Sequence, residues 1–169
     1  IPRICFYHLV YAGRGSALME EDLTHEESRK VVDLIIDRTA DLHKRGLPTE
    51  VLTVDNHCDG AYLYLRMKAE GIEHAEEVME LLRMNGGNSS GRGIGCVSWD
   101  GSVHADQFWR HLSFGNVRER KFSEIWTDME HPVLSKLKDK KQHVTGRCAK
   151  CQYLDVCGGN FRVRAEAAT

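Results

Sequence analysis

The stretch Gly146-Arg147-Cys148-Ala149-Lys150-Cys151-Gln152-Tyr153-Leu154-Asp155-Val156-Cys157-Gly158-Gly159 places three cysteines within ten residues. Thiolates bind soft or borderline metals, and a C-x2-C spacing lets two sulfurs converge on one centre through a tight turn. Cys157 is expected at the start of the following helix, where the helix N-terminus favours negative charge and depresses a thiol pKa. Gly158 and Gly159 keep side chains away where backbone amides approach sulfur. The pattern points to a metal rather than to three buried structural thiols. It does not name the metal, because zinc would accept the same ligands with a fourth Cys or His, and His143 is available.

The other cysteines, Cys5, Cys58 and Cys96, stand alone and read as buried small hydrophobes. An oxidised secreted scaffold would be shorter and denser in cysteine, so the spacing argues for a reducing, cytoplasmic setting. The composition agrees: 41% hydrophobic, 28% charged and a net charge of −2 give no electrostatic case for nucleic acid as main partner. No apolar run approaches the roughly 18 residues of a membrane span, and no signal-peptide pattern is present. The chain begins at Ile1 directly before an apolar run and ends at Thr169 inside a helical pattern, so a piece of a longer protein is expected.

Upstream, residues 4–10 read as a buried strand that stops in a glycine loop, Gly13-Arg14-Gly15. Thr24 and Glu27 form a capping box opening a helix to about Arg45, with Val31, Leu34, Ile35, Ile36 and Leu42 on its apolar side and Gly46 after it. Residues 50–55 read as a second strand, followed by Asn56-His57-Cys58-Asp59-Gly60. Two shorter helices, 61–70 and 73–84, come next, the second with Val78, Leu81 and Leu82 inward. Strand, long helix, strand, helix predicts a βαβα unit with parallel strands, which needs further strands to make a stable sheet.

After Asn85 the chain turns glycine-rich. Residues 99–103 predict a hairpin, 123–129 and 134–138 two short helices, and 160–168 a last one. The basic run 136–141 reads as a solvated face. A boundary falls near residue 88, with an α/β unit at 1–88 and a small cysteine-bearing unit at 89–169.

Residues 146–169 resemble the C-terminal extension of radical S-adenosylmethionine (radical SAM) enzymes, the SPASM or shorter twitch domain. Trp99-Asp100-Gly101, Phe114-Gly115-Asn116-Val117 and Phe122-Ser123-Glu124-Ile125-Trp126 resemble the hairpin and helix that precede those cysteines. Three further strings narrow the match: Phe6-Tyr7-His8-Leu9-Val10-Tyr11-Ala12-Gly13-Arg14-Gly15, Thr53-Val54-Asp55-Asn56-His57, and His104-Ala105-Asp106-Gln107-Phe108-Trp109-Arg110-His111. With them the chain is similar to the NirJ family of radical SAM heme d1 biosynthesis proteins. The resemblance implies the C-terminal part of a partial (β/α)6 radical SAM barrel at 1–88, followed by a truncated SPASM/twitch-like iron–sulfur domain.

The departures from the SPASM pattern carry information. That pattern runs C-x9-15-G-x4-C, then C-x2-C-x5-C-x3-C, then a last Cys. Here Asp106 and Phe161 stand at two of its cysteine positions, and residues 85–91 contain no cysteine. An oxygen ligand at Asp106 is the less favoured reading. The resemblance therefore implies one auxiliary [4Fe-4S] cluster on Cys148, Cys151 and Cys157, with its fourth ligand beyond Thr169. The C-x3-C-x2-C motif of the radical-generating [4Fe-4S] cluster is absent from this sequence, so the chain alone is expected to be inactive.

By the same resemblance, the parent enzyme would use S-adenosylmethionine to abstract hydrogen from a propionate side chain of a siroheme-derived tetrapyrrole. A flavodoxin or ferredoxin would be its electron donor, and the auxiliary cluster would accept an electron or bind substrate. A tetrapyrrole needs flat apolar walls and cationic partners for its carboxylates. Phe108, Trp109, Arg110 and His111, with Arg162 and Arg164, could supply both, and His104 or His111 could meet its iron; ordinary packing is the competing reading. Gly13, Arg14, Gly15, Asn56 and His57 fall at strand ends, where α/β sites gather, and are candidates for S-adenosylmethionine or substrate contact. The alternatives are a related radical enzyme acting on another tetrapyrrole or a peptide, and a zinc-stapled binding module.

Overall fold

Residues 1–167 are described by a computed structural model; Ala168 and Thr169, the end of the expected last helix, lie outside the described residues. The expected parallel pair forms. Strand β1 (Arg3–Tyr7) lies alongside β2 (Glu50–Val54), in register from Arg3 opposite Glu50 to Tyr7 opposite Val54. β1 ends earlier than its apolar run. After His8 the chain winds tightly, with the Ala12 N–H on the Val10 carbonyl at 2.8 Å, and the expected glycine loop opens a 3-10 stretch, Gly13–Glu21. Gly15 is required there, because a Cβ would stand 2.3 Å from the Val10 carbonyl oxygen.

Helix α1 (His25–Lys44) starts at the expected capping box: the Glu27 N–H donates to Thr24 Oγ1 and the Thr24 N–H donates to Glu27 Oε2. Its inward stripe is rotated from the one read in sequence. Val32 is buried, whereas Val31 and Leu34 are exposed. Val32, Ile35, Ile36 and Thr39 face Val51 and Thr53 of β2 across an apolar groove. With apolar residues at 31, 32, 34, 35 and 36, spacing alone could not choose among the possible stripes.

α2 (Cys58–Ala69) and α3 (Ala75–Asn85) pack on each other. Ala75 and Met79 are buried, and Leu81, expected inward, is exposed. The glycine-rich half holds the expected hairpin, β3 (Cys96–Val97) antiparallel to β4 (Val103–His104). Its core is Val103, Ala105, Phe114, Ile125, Leu134 and Leu137. The last two lie on α5 (Leu134–Lys138), and Ile125 lies on α4 (Phe122–Trp126).

Four short helices follow among the described residues: α6 (Lys140–His143), α7 (Gly146–Ala149), α8 (Leu154–Cys157) and α9 (Arg162–Ala167). They fold back onto the first half. Val156 packs with Ala61 and Met79, while Phe161 and Val163 pack with Val10. The basic run is only partly a solvated face. Lys138 covers the Trp126 ring at 3.9 Å, and Lys140 is half-buried against Asn88, because both partners come from distant segments. No helix among the described residues is long and apolar enough to cross a membrane.

Candidate metal centre and adjoining groove

Two irregular turns carry the cysteines. The Cys151 N–H bonds the Cys148 carbonyl at 3.1 Å, so the C-x2-C pair sits on a tight turn. Cys157 closes α8 instead of opening a helix, and Gly158 follows it in the left-handed conformation. Donors still reach its sulfur: a hydrogen bond with the Cys58 thiol, then the backbone N–H groups of Gly159 and Asn160, hold the Cys157 thiol below its ordinary range against the opposing effect of burial. A Cβ on Gly159 would meet only the Lys140 and Val144 side chains at ordinary contact distances, 3.5 and 3.6 Å, so glycine there answers to its φ of +77° and not to the expected close approach. Gly158 serves another contact, since a Cβ there would stand 2.7 Å from the Asn88 backbone.

Gly87 is pressed just as hard against this segment. A Cβ on it would stand 2.3 Å from the Cys157 carbonyl carbon, and its φ is +64°. The neighbouring Asn88 N–H donates to the Cys157 carbonyl at 3.0 Å. Lys140 Nζ donates to Asn88 Oδ1 at 2.6 Å and to the Asn88 carbonyl at 3.1 Å. Burial, with Arg162 and Arg92 nearby, pushes the Lys140 ammonium down to about 8.

Cys148 and Cys151 are exposed. Among the described residues no three His, Cys, Asp or Glu side chains stand together in a group that could hold a metal ion. Around Cys157 alone the surroundings suit an anionic centre, because the Gly159 and Asn160 N–H groups and the Lys140 charge all favour negative charge on its sulfur. Cys5 and Cys58 are exposed, against the expectation that they are buried hydrophobes. Cys58 Sγ lies 3.5 Å from Cys157 Sγ.

The cysteine segment meets the C-terminal ends of the parallel strands. Asn160 Nδ2 donates to Asn56 Oδ1 at 2.8 Å, and the His57 ring lies 5.5 Å from that of Phe161. Asp55 and Asn160, the two non-glycine residues with positive φ among those described, flank this junction. Such conformations concentrate at functional sites. Desolvation raises the Asp55 carboxyl and lowers the His57 imidazole. Asn56 and His57 thus reach the junction, and the junction lines one wall of a groove of about 590 Å³ with Gln107 and Phe161.

A second groove, of about 620 Å³, runs between the chain after β1 and α9, lined by Tyr11, Gly13, Phe108, Arg110, His111 and Glu166 among others. Phe108 stands edge-on to Phe161 at 5.2 Å. Arg110 covers the Trp99 ring at 4.5 Å. Trp109 Nε1 donates to Glu166 Oε2 at 2.6 Å, and His111 pairs with the same carboxylate at 3.0 Å. His104 lies elsewhere, 4% exposed, with Nδ1 on the Leu112 carbonyl at 2.8 Å. Arg164 is already engaged by the Leu9 carbonyl, the Tyr11 ring and Asp22, so it fastens α9 to the chain after β1. Arg14 is exposed and Arg162 half-buried. Asp106 is fully buried: its Oδ1 accepts the N–H groups of Phe108 and Trp109 at 2.9 Å, and its Oδ2 has no hydrogen-bond partner.

Cys58, Asp55, Asn160, Lys140 and Glu166 were missed in the sequence reading. Only Cys58 carried a signal there, since it directly follows Asn56-His57 at a strand end.

A glycine-rich hairpin followed by a cysteine turn is the build of one class of metal-binding extension. Residues 90–152 match the SPASM family, an iron–sulfur cluster-binding domain, a span that takes in Cys148 and Cys151. The chain is a relative of heme-synthesis proteins. It is 68% identical to a Fe-coproporphyrin III synthase of Methanosarcina barkeri, over 99% of this chain and 43% of that protein. It is 37% identical to a pre-heme d1 synthase of Dinoroseobacter shibae, over 98% of this chain and 41% of that protein. An AdoMet-dependent heme synthase of Nitratidesulfovibrio vulgaris is 28% identical over 93% of this chain and 40% of its own length. The chain thus spans about two fifths of the length of the curated relatives it matches. No solved structure matches it significantly.

Proposed function

We propose that this chain is part of a radical SAM enzyme that remodels carboxylate-bearing side chains of a siroheme-derived tetrapyrrole. In this reading residues 1–88 end a partial (β/α)6 barrel, and residues 89–169 form a SPASM/twitch-like unit. Cys148, Cys151 and Cys157 hold an auxiliary [4Fe-4S] cluster. S-adenosylmethionine and a second cluster belong to the rest of the parent, with a flavodoxin or ferredoxin as electron donor. One observation carries the reading: the cysteine segment docks on the C-terminal ends of parallel strands through the Asn160–Asn56 bond of 2.8 Å. Sites of α/β proteins gather at that end.

When bound, the auxiliary cluster supplies a one-electron redox centre or a ligand position. The chain's own residues do the positioning. Gly159 and Asn160 direct N–H groups at the Cys157 sulfur. Phe108 offers an apolar wall to a flat macrocycle, and Arg110 offers a cationic donor to its carboxylates. At about 620 Å³, their groove is within the usual size of small-molecule sites.

Of the two products named among the relatives, Fe-coproporphyrin III is favoured by 68% identity, against 37% for the pre-heme d1 synthase, which supports propionate loss toward heme d1 as the second reading. The test is an anaerobic incubation of the reconstituted full-length parent with S-adenosylmethionine, a low-potential reductant and siroheme-derived tetrapyrroles. Release of 5′-deoxyadenosine in step with a change in tetrapyrrole mass is expected. Arg110→Ala should raise KM about tenfold through loss of a charge-assisted contact. Deoxyadenosine release that ignores the tetrapyrrole would sink the reading, and one tightly bound zinc without sulfide would favour a zinc-stapled module.

A further inference from the structure

We propose that Cys58 and Cys157 are a redox pair, closing a reversible disulfide in the metal-free protein that withholds the Cys157 thiol from metal. The disulfide stands apart from the function proposed above; only the withholding rests on the reading of Cys157 as a cluster ligand. Its basis is a thiol–thiol contact with no local cause. Cys58 opens α2 and Cys157 closes α8, 99 residues apart, yet their sulfurs are 3.5 Å from each other.

Both backbones are held where they are. Ala61 of α2 and Val156 of α8 share one buried cluster with Met79. The Cys58 N–H donates to Asn56 Oδ1 at 3.4 Å, and the Cys157 carbonyl accepts the Asn88 N–H at 3.0 Å. Closure is therefore left to the side chains. A disulfide bond is about 2.05 Å long, so the sulfurs must approach by about 1.5 Å. A full staggered step about χ1 carries a thiol sulfur by about 3 Å, and a partial rotation shared by the two residues covers the gap.

Cys58 is exposed and Cys157 half-buried, which sets the order of events. A low-molecular-weight disulfide such as oxidised glutathione meets Cys58 first. Its sulfur loses a proton, bonds to one glutathione sulfur and releases the other glutathione as a thiol. The Cys157 sulfur then loses its proton, attacks the Cys58 sulfur and displaces the second glutathione. Two protein thiols and one oxidised glutathione become one protein disulfide and two glutathione thiols. In the reducing setting that the cysteine spacing argues for, such a bond is transient, and its exposed side makes it easy to reverse. While closed, it takes up the sulfur that the cluster needs.

The experiment uses the metal-free full-length parent, with the C-x3-C-x2-C cysteines of its other cluster changed to serine, alone and with Cys58→Ser. Each is treated anaerobically with oxidised glutathione, alkylated and mapped by peptide mass. A peptide pair joined through Cys58 and Cys157 is expected in most chains, separated by a phosphine and missing from Cys58→Ser. Free thiols at both positions, a glutathione on Cys58 that is never displaced, or Cys157 joined to Cys151 instead would each overturn the disulfide. The joined protein, with Cys148 and Cys151 still free, is next offered ferrous iron and sulfide before and after the phosphine, and the join is mapped again. Iron uptake at least about tenfold greater after reduction is expected. Full uptake by the joined protein, or none in either state, overturns the withholding and the cluster reading with it, and leaves the disulfide standing.

Discussion

The α/β half and the cysteine-bearing segment hold their shapes by opposite means. In the first half, regular backbone bonds do the work: a five-residue parallel ladder, a capping box and three helices of 11 to 20 residues. Residues 146–161 contain only four-residue helices and take their shape from crowding against Gly87, Asn88 and α2. A regular element tolerates local change because its neighbours repeat the same bonds. A crowded turn has no such redundancy, and it is where the thiols sit.

Two left-handed glycines expose that difference most strongly. Gly46, after α1, has φ +70° and nothing within 4 Å of an added Cβ. Gly46→Ala should cost only the left-handed penalty, about 1–2 kcal/mol. Gly87→Ala adds the same penalty to a clash with the Cys157 backbone, where neither side is a flexible side-chain end. It should cost about 3–5 kcal/mol and displace Cys157. Urea unfolding of the two variants measures the gap. Equal losses would mean that the segment yields, and the contrast between the halves would collapse.

What the sequence made legible follows the same division. The capping box at Thr24, the apolar runs of the two strands and the helix at Leu134–Lys138 are patterns within a few residues, so their signals are local. The three clustered cysteines were legible for the same reason. The inward stripe of α1 was not, because five apolar positions in six residues fit several stripes. Cys58 was misread because its partner lies 99 residues away, and Lys140 because Asn88 lies 52 residues away. Pairings at such separations leave no periodic trace.

Lys140 gives an effect of intermediate size. Its folded pKa, about 8, lies below the ordinary 10.5 because burial disfavours the ammonium, with Arg162 and Arg92 adding to this and Cys157 and Asp106 opposing it. The sign follows from linkage. A depressed pKa contributes stability that is present above 10.5 and lost as pH falls through about 8. Relative to Lys140→Met, the wild type should therefore gain stability between those two values, on the order of 1–3 kcal/mol. Melting curves of both proteins from pH 7 to 10.5 read the difference. Parallel curves would show that the bonds to Asn88, which Lys140→Met also removes, outweigh the burial of the charge.

The smallest contrast sets one cap against another. Thr24 and Asp106 each accept backbone N–H groups, one on the exposed start of α1 and the other in the core of the glycine-rich half. Thr24→Ala should cost about 1 kcal/mol, the ordinary worth of an N-cap, with water replacing the lost acceptor. Asp106→Ala strands the N–H groups of Phe108 and Trp109 in a dry interior and also removes the unpartnered Oδ2. Those effects oppose each other, leaving a net loss of about 2 kcal/mol if stranded donors dominate. Asp106→Asn keeps the acceptor and should recover most of that loss. A stabilising Asp106→Ala would instead mean that the buried carboxylate is held at a cost, as groups kept for a ligand often are, and that outcome would move the search for the site's remaining contacts toward its Oδ2.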